Sequence, residues 1–472
     1  MNSVLRPEFE RLFRQWRSVS LDSVMKSLLS RVVPVLVLMS AVAQASQHVD
    51  GWVGMSPREE ITPVFDRANS EGPNGALSLI IRTDSREGMQ GAWTKTIPVE
   101  GGAHYRFSAF RRTENVDVVR RSAVAKITWQ DDKGRLVTND NYTNPRYLRS
   151  GTSTHRPDYP MDKETDAKGW TEVSDTYKAP SKASKAVIEL KFRWAPPNSL
   201  VRWNEVSLKK VSAPKGRKVR LASVHHKPRS AAKTPMANCR TYAPFVAEAA
   251  KKKADIVVLG ETITIYGNGV KYAEAAEAIP GPSTRFFGEL AKKHDLYIVV
   301  GLLEREKHLI YNVAVLIGPD GKIVGKYRKT CLPRGEADGG VTPGKEYPVF
   351  ETRFGKVGMM VCYDAFFPEV ARQLTINGAE VIALPVWGCN PALAAARATE
   401  NHVWLVSSTY TDHNQNWIKT AIFDHEGQMV EQASEWGQVI VAEVDLDERR
   451  HWHGLGDFKA RIERGRPEWV VE

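Results

Sequence analysis

The hydrophobic period of this chain changes between residues 212 and 220. Before that stretch, apolar and polar residues alternate in short runs, such as "HYRFSAFRR" (104–112), "AVAKITW" (123–129) and "KAVIELKFRW" (185–194). After it, buried-type strands such as "DIVVLGE" (255–261) and "AEVIALP" (379–385) alternate with helical patterns. Period two specifies a half-buried sheet, whereas strand–helix alternation specifies α/β layers. One core cannot serve both, and 472 residues exceed an ordinary single domain.

The first body spans 46–212. Its strands are separated by Gly, Pro, Asn and Asp clusters and include "ALSLIIR" (76–82) and "VRWNEVSLKK" (201–210). That spacing predicts an antiparallel β-sandwich. In order and texture it resembles a jelly-roll, carbohydrate-binding or galactose-binding-like domain. The resemblance implies a glycan as partner. Trp93, Trp129, Trp170, Trp194 and Trp203 are candidates to stack on sugar rings, though such tryptophans more often fill the sandwich core.

Residues 213–218 read as a linker, 219–450 as the α/β body and 451–472 as a C-terminal extension. Helical patterns fall at 242–254, 283–295, 368–378 and 392–401. A Pro-Asp-Gly turn at 319–321 joins two strands.

Residues 1–45 read as a leader with an export signal. Lys26 and Arg31 flank an eleven-residue apolar stretch, Val32 to Val42, and Ala43-Gln44-Ala45 fits a small-x-small cleavage site. This stretch is short for a membrane span. Export to the periplasm or exterior after cleavage near Ala45 is expected, with Met25 as an alternative start to Met1. A non-functional leader leaves the protein cytoplasmic. Formal charge is +11 without a dense Lys/Arg block interleaved with aromatics, so nucleic acid is not an expected partner. Cys239, Cys331, Cys362 and Cys389 form no CxxC pair, which argues against both a disulfide scaffold and a zinc site.

Three chemical signals sit at strand ends. Glu261 closes "IVVLGE", where a buried carboxylate is costly without partners. Lys329 ends a strand in "GKYRKTCLPRGE", and Glu336 follows seven residues later. Cys362 ends the apolar run "KVGMMV" before a turn and Pro368. Each has a bland reading: a loop acid, a solvated lysine, an inert buried thiol. Strand–turn–helix geometry also suits a nucleophile.

Taken in order, a strand-end Glu, Tyr-Arg-Lys, a Glu seven residues on and Cys-Tyr-Asp-x-x-Phe-Pro-Glu resemble the nitrilase superfamily, the carbon–nitrogen hydrolases. The resemblance covers about 218–450, with "TPGKEYPVFET", "ARATENHVWLV" and "FDHEGQMV" also fitting. It implies a four-layer αββα sandwich, neither metal nor organic cofactor, and a homo-oligomer. It also implies a Glu-Lys-Cys triad of Glu261 (general base), Lys329 and Cys362 (nucleophile), ordered by Glu336. The backbone N–H of Tyr363 is the candidate oxyanion donor, and Trp387 and Cys389 are candidate pocket residues. Asp364 is a candidate helix cap; Arg372 and Arg397 are candidates to pair with acids around the site. Gly260 stands where the family often has Pro, which implies a looser turn, and Cys331 where many members have His.

The expected function is hydrolysis of a non-peptide C–N bond in a small amide-type substrate, a linear amide or N-carbamoyl amine, through a Cys thioester. The alternatives are a nitrile hydrolase, acyl transfer, or an exported glycan- or surface-binding protein with a hydrolase-like scaffold.

Overall fold

The computed structural model describes residues 48–69, 72–143 and 155–468, so the expected leader lies outside the described residues. The described chain is β-rich, with several sheets.

Two antiparallel sheets are built from the first body. One has five strands, in the spatial order His48–Val49, Trp52–Met55, Met89–Pro98, Lys185–Ala195 and Ala123–Gln130. The other has six, in the order Val64–Ala68, Ser78–Arg82, Leu200–Val211, His104–Glu114, Thr171–Lys178 and Met161–Thr165. Alternation sets the inward face: Ala186, Ile188, Leu190 and Phe192 are buried along one strand, while their neighbours are half-buried. In register, Leu190 lies opposite both Trp93 and Ala125. The Trp93 indole donates to the Ile80 carbonyl of the other sheet at 3.0 Å. Trp93, Trp129, Trp170 and Trp203 are buried, so four of the five candidate sugar-stacking rings are core. Trp194 is 54% exposed, and the Arg193 guanidinium lies 4.2 Å from its ring centre.

The second body contributes two six-stranded sheets. In the first, Lys218–His225, Ile256–Val258 and Tyr297–Glu306 run parallel, with Gln438–Asp445 antiparallel on one side and Leu309–Ile317 and Ile323–Arg328 on the other. In the second, Lys356–Met359, Val381–Val386 and Trp404–Thr409 are the parallel centre. One apolar core takes Val258, Val299 and Leu316 from the first sheet and Met359, Ile382 and Leu405 from the second. The sheets are also stitched by side chains: Ser223 donates to the Ser407 carbonyl and Ser408 to the Val224 carbonyl, each at 2.8 Å. Helices Ala243–Lys251 and Pro282–His294 bury Val246, Ala249, Phe287 and Ala291 in a separate core with Val257, Ile298 and Val300. Helices Pro368–Ile376 and Pro391–Asn401 bury Val370, Leu374, Ala394 and Ala398 in the shared core. Both start on a proline, whose fixed φ suits a first helical position.

After Asp445 the chain returns to the first body. His451–Trp452 pairs in parallel with Tyr142–Thr143. Arg449 ion-pairs with Asp175 at 2.7 Å, and Arg120 donates to the Glu463 carbonyl at 2.6 Å beside the helix Phe458–Gly465. Among the described residues no helix is long and apolar enough to cross a membrane.

Candidate active site

The site lies where the parallel strands of both sheets end. Glu261 follows Ile256–Val258 by three residues, and its backbone is crowded at two glycines, Gly260 and Gly301. A Cβ on Gly260 would sit 2.5 Å from the Tyr410 hydroxyl, and one on Gly301 only 2.6 Å from the Glu261 Cα. The Tyr410 hydroxyl donates to the Glu261 carbonyl at 2.7 Å. The expected looser turn at Gly260 is therefore a tight one, with a tyrosine packed against it.

The Glu261 carboxylate is buried and held at both oxygens. Its Oε1 accepts from Asn312 Nδ2 at 2.8 Å and from Lys329 Nζ at 3.0 Å; its Oε2 accepts from the Trp387 backbone N–H at 2.8 Å. Lys329 is 0% exposed, and its ammonium also donates to Glu336 Oε1 at 2.5 Å. Burial works against that charge, but the carboxylates of Glu261 and Glu336 outweigh it, so the ammonium is held well above its ordinary range. Burial pushes the Glu336 carboxyl up. A buried pair like this is retained because removing either partner strands a charge, at a cost of about 3–5 kcal/mol.

Cys362 follows the strand Lys356–Met359 and opens a tight turn, Cys362–Phe366. Its φ is +44°, the left-handed region, which costs a non-glycine residue roughly 1–3 kcal/mol. Burial and the charge of Glu261 push its thiol well up, while the Lys329 ammonium and the backbone at Trp387 and Gly388 pull the other way. Its Sγ lies 3.7 Å from the Gly388 carbonyl oxygen. The resting group is a neutral thiol, so a base must take its proton before it attacks.

Asp364 does not cap the helix Pro368–Ile376, whose N-cap residue is Phe367, without a side-chain bond. Asp364 is buried and accepts from the N–H groups of Val361 and Cys331 and from the Tyr327 hydroxyl, at 2.8–2.9 Å. It thus ties the turn after Cys362 to the loop after Lys329. Arg397 donates to the Ala365 carbonyl and pairs with Glu400, and Arg372 donates to the Glu400 carbonyl; neither reaches Glu261 or Glu336. Trp387 is 43% exposed, with its indole N–H on Thr262 Oγ1 at 2.8 Å and its ring against Tyr266 and Tyr410. Cys389 is buried in the core, and Tyr363 packs against Phe366 and Phe367.

Two contributors lie outside the sequence expectations. Asn312 is a polar residue inside the apolar strand "YNVAVLI", a visible signal; Tyr410 carries none. Among the described residues, no group of three or more His, Cys, Asp or Glu side chains is placed to hold a metal ion.

The chain belongs to the carbon–nitrogen hydrolase family, whose model matches residues 220–453, and it is a hydrolase acting on C–N bonds. It is 35% identical over 216 residues to a nitrilase of Pyrococcus abyssi, covering 43% of this chain and 81% of that protein. It is 31% identical over 223 residues to the omega-amidase NIT2 of Xenopus tropicalis, covering 43% and 81%. The solved structure of Saccharomyces cerevisiae Nit3, of the nitrilase superfamily, has 26% identity and a TM-score of 0.44, covering 50% of this chain and 93% of that one.

Proposed function

We propose that this protein hydrolyses a linear amide or an N-carbamoyl amine through a thioester on Cys362, with Glu261, Lys329 and Cys362 as a Glu-Lys-Cys triad. The observation that carries the reading is Lys329: a fully buried ammonium held by Glu261 at 3.0 Å and by Glu336 at 2.5 Å.

In this mechanism Glu261 takes the thiol proton and Sγ attacks the carbonyl carbon. The electron pair displaced onto oxygen is stabilised by the Lys329 ammonium and the Tyr363 backbone N–H. One such donor contributes about 3 kcal/mol. Collapse expels the amine, which takes the proton from Glu261, and leaves a thioester. Glu261 then deprotonates a water, which attacks the thioester; the thiolate leaves and is reprotonated, and the acid is released. Glu336 keeps Lys329 charged and placed. Trp387, half-exposed beside Tyr266 and Tyr410, is the candidate pocket wall, and Cys389, buried in the core, is not.

The same reading includes a four-layer αββα body, which the shared core and the helix packing support, a jelly-roll-type first body, and assembly as a homo-oligomer. It includes export with cleavage near Ala45, which N-terminal sequencing from the native host tests. The nitrilase relative favours one second reading, nitrile hydrolysis by the same thiol. A panel of amides, N-carbamoyl compounds and nitriles assayed for ammonia release separates the two. Cys362→Ala is expected to abolish turnover of whichever is the substrate; full activity in that variant would discard the triad.

A further inference from the structure

Four of the five tryptophans that the sequence offers as a sugar platform are core, yet the first body takes part in a different candidate site. A cleft of about 450 Å³ opens between it and the segment after Asp445. Such a volume falls in the roughly 300–1,000 Å³ range of small-molecule sites and far exceeds the ~30 Å³ share of one water. Asn139, Asp158, Asp175 and Tyr177 line it from one side and Arg449 and His451 from the other.

Three polar atoms of these lining residues are buried without a hydrogen-bond partner: Asn139 Nδ2, the Tyr177 hydroxyl and His451 Nδ1. Asn139 is 6% exposed and Tyr177 2%. Buried polar groups are ordinarily satisfied, so three orphans around one cleft mark missing partner atoms. The orphans ask for both roles. Asn139 Nδ2 can only donate, the Tyr177 hydroxyl can donate or accept, and His451 Nδ1, with Nε2 on Asp158 Oδ1 at 2.8 Å, accepts when the ring is neutral and donates when it is charged.

The charges narrow the ligand. Carboxylates outnumber cations around the wall. Arg449 is consumed by Asp175 and Asp457, so an anion would meet mainly Lys178 at the exposed rim, against five carboxylates. A cation fares no better: Asp158 serves Trp129 and His451, Asp447 serves Arg217, and Asp140 serves Ser181. An uncharged molecule dense in hydroxyls satisfies both sides, accepting from the orphan donors and donating to the carboxylate rim.

We propose that this cleft is a binding site for a neutral sugar or similar polyol, formed jointly by the β-rich first body and the C-terminal segment and separate from the Cys362 site.

The test uses the full chain. Glucose, galactose, mannose and lactose are titrated by calorimetry and by saturation-transfer NMR, beside galacturonate and glucosamine as charged counterparts. At least one neutral sugar is expected to bind saturably. Tyr177→Phe, which deletes only an unpartnered hydroxyl, is expected to weaken it about tenfold, the scale of one lost hydrogen bond, without lowering the melting temperature. Asn139→Leu is expected to weaken it as well, and Trp194→Ala, at the exposed ring, to bind as the parent does. The proposal is overturned if no neutral sugar saturates at tens of millimolar, leaving a water-filled cleft. It is also overturned if the charged sugars bind better, or if Trp194→Ala abolishes binding while a well-folded Tyr177→Phe retains it.

Discussion

Lys329 Nζ lies 3.0 Å from Glu261 Oε1, and both side chains are buried where strands of one sheet end. The pair joins two strands through their side chains, while the Lys329 backbone N–H donates to the carbonyl of Asn312, whose amide also holds Glu261. Stability and, in the proposed mechanism, chemistry therefore rest on the same atoms.

Lys329→Met separates these roles. It leaves Glu261 and Glu336 buried together without a cation, so it is expected to cost about 3–5 kcal/mol in urea unfolding and to abolish turnover. The double variant Lys329→Met/Glu336→Gln removes one stranded charge. It is expected to recover part of the stability and none of the activity.

Glu261→Gln is expected to move two readouts in opposite directions. Turnover falls about 10²–10⁴-fold, because the thiol loses its base. The charge of Glu261 is also one cause of the raised thiol pKa, while Lys329 works the other way. Its removal lowers that pKa, and iodoacetamide labelling of Cys362 at neutral pH rises about tenfold per unit. Peptide-resolved mass spectrometry keeps Cys331 out of the measurement. Unchanged labelling in the variant argues that Glu261 does not act on the sulfur, whereas slower labelling shows that its loss as a base outweighs the loss of its charge.

The glycines predict a graded series. At Gly260 an added Cβ meets the Tyr410 side chain, whose ring can shift. At Gly301 it meets only backbone, the Glu261 Cα and the Gly260 carbonyl. Gly301→Ala is therefore expected to be the worse variant, losing about 1–3 kcal/mol in thermal unfolding and lowering kcat by displacing the carboxylate. Gly260→Ala is expected to keep measurable activity.

Strand and helix positions were legible because period two and the strand–helix alternation are local properties of sequence. The order of Glu261, Lys329, Glu336 and Cys362 along the chain points to one place, and three of them meet there in one hydrogen-bonded group. What stays illegible is set by partners distant in sequence. Asp364 looks like a cap because Pro368 follows it, yet Tyr327 and Cys331, from another strand and its loop, claim its oxygens. Gly260 looks permissive until Tyr410, 150 residues on, fills the space where a Cβ would go. The tryptophans of an alternating strand could face either way, and only the packed core shows that Trp93, Trp129 and Trp203 face in.

The C-terminal segment should release from the first body in two different pH windows. His451 pairs with Asp158 at 2.8 Å; burial opposes the charged ring, but Asp158 prevails and raises its pKa. A raised histidine contributes stability that is fully present below its unfolded value of about 6.5 and is lost as pH rises through the folded value. Asp457, paired with Arg449, titrates at about 2 despite burial, so its contribution is present above an unfolded value of about 3.9 and is lost as pH falls toward the folded one. Hydrogen exchange of the helix Phe458–Gly465 is therefore expected to be slowest between these windows and to quicken on both sides. His451→Gln is expected to flatten the alkaline limb alone, and Asp457→Asn the acid limb alone. If both variants leave both limbs unchanged, these two pairs do not hold the segment in place.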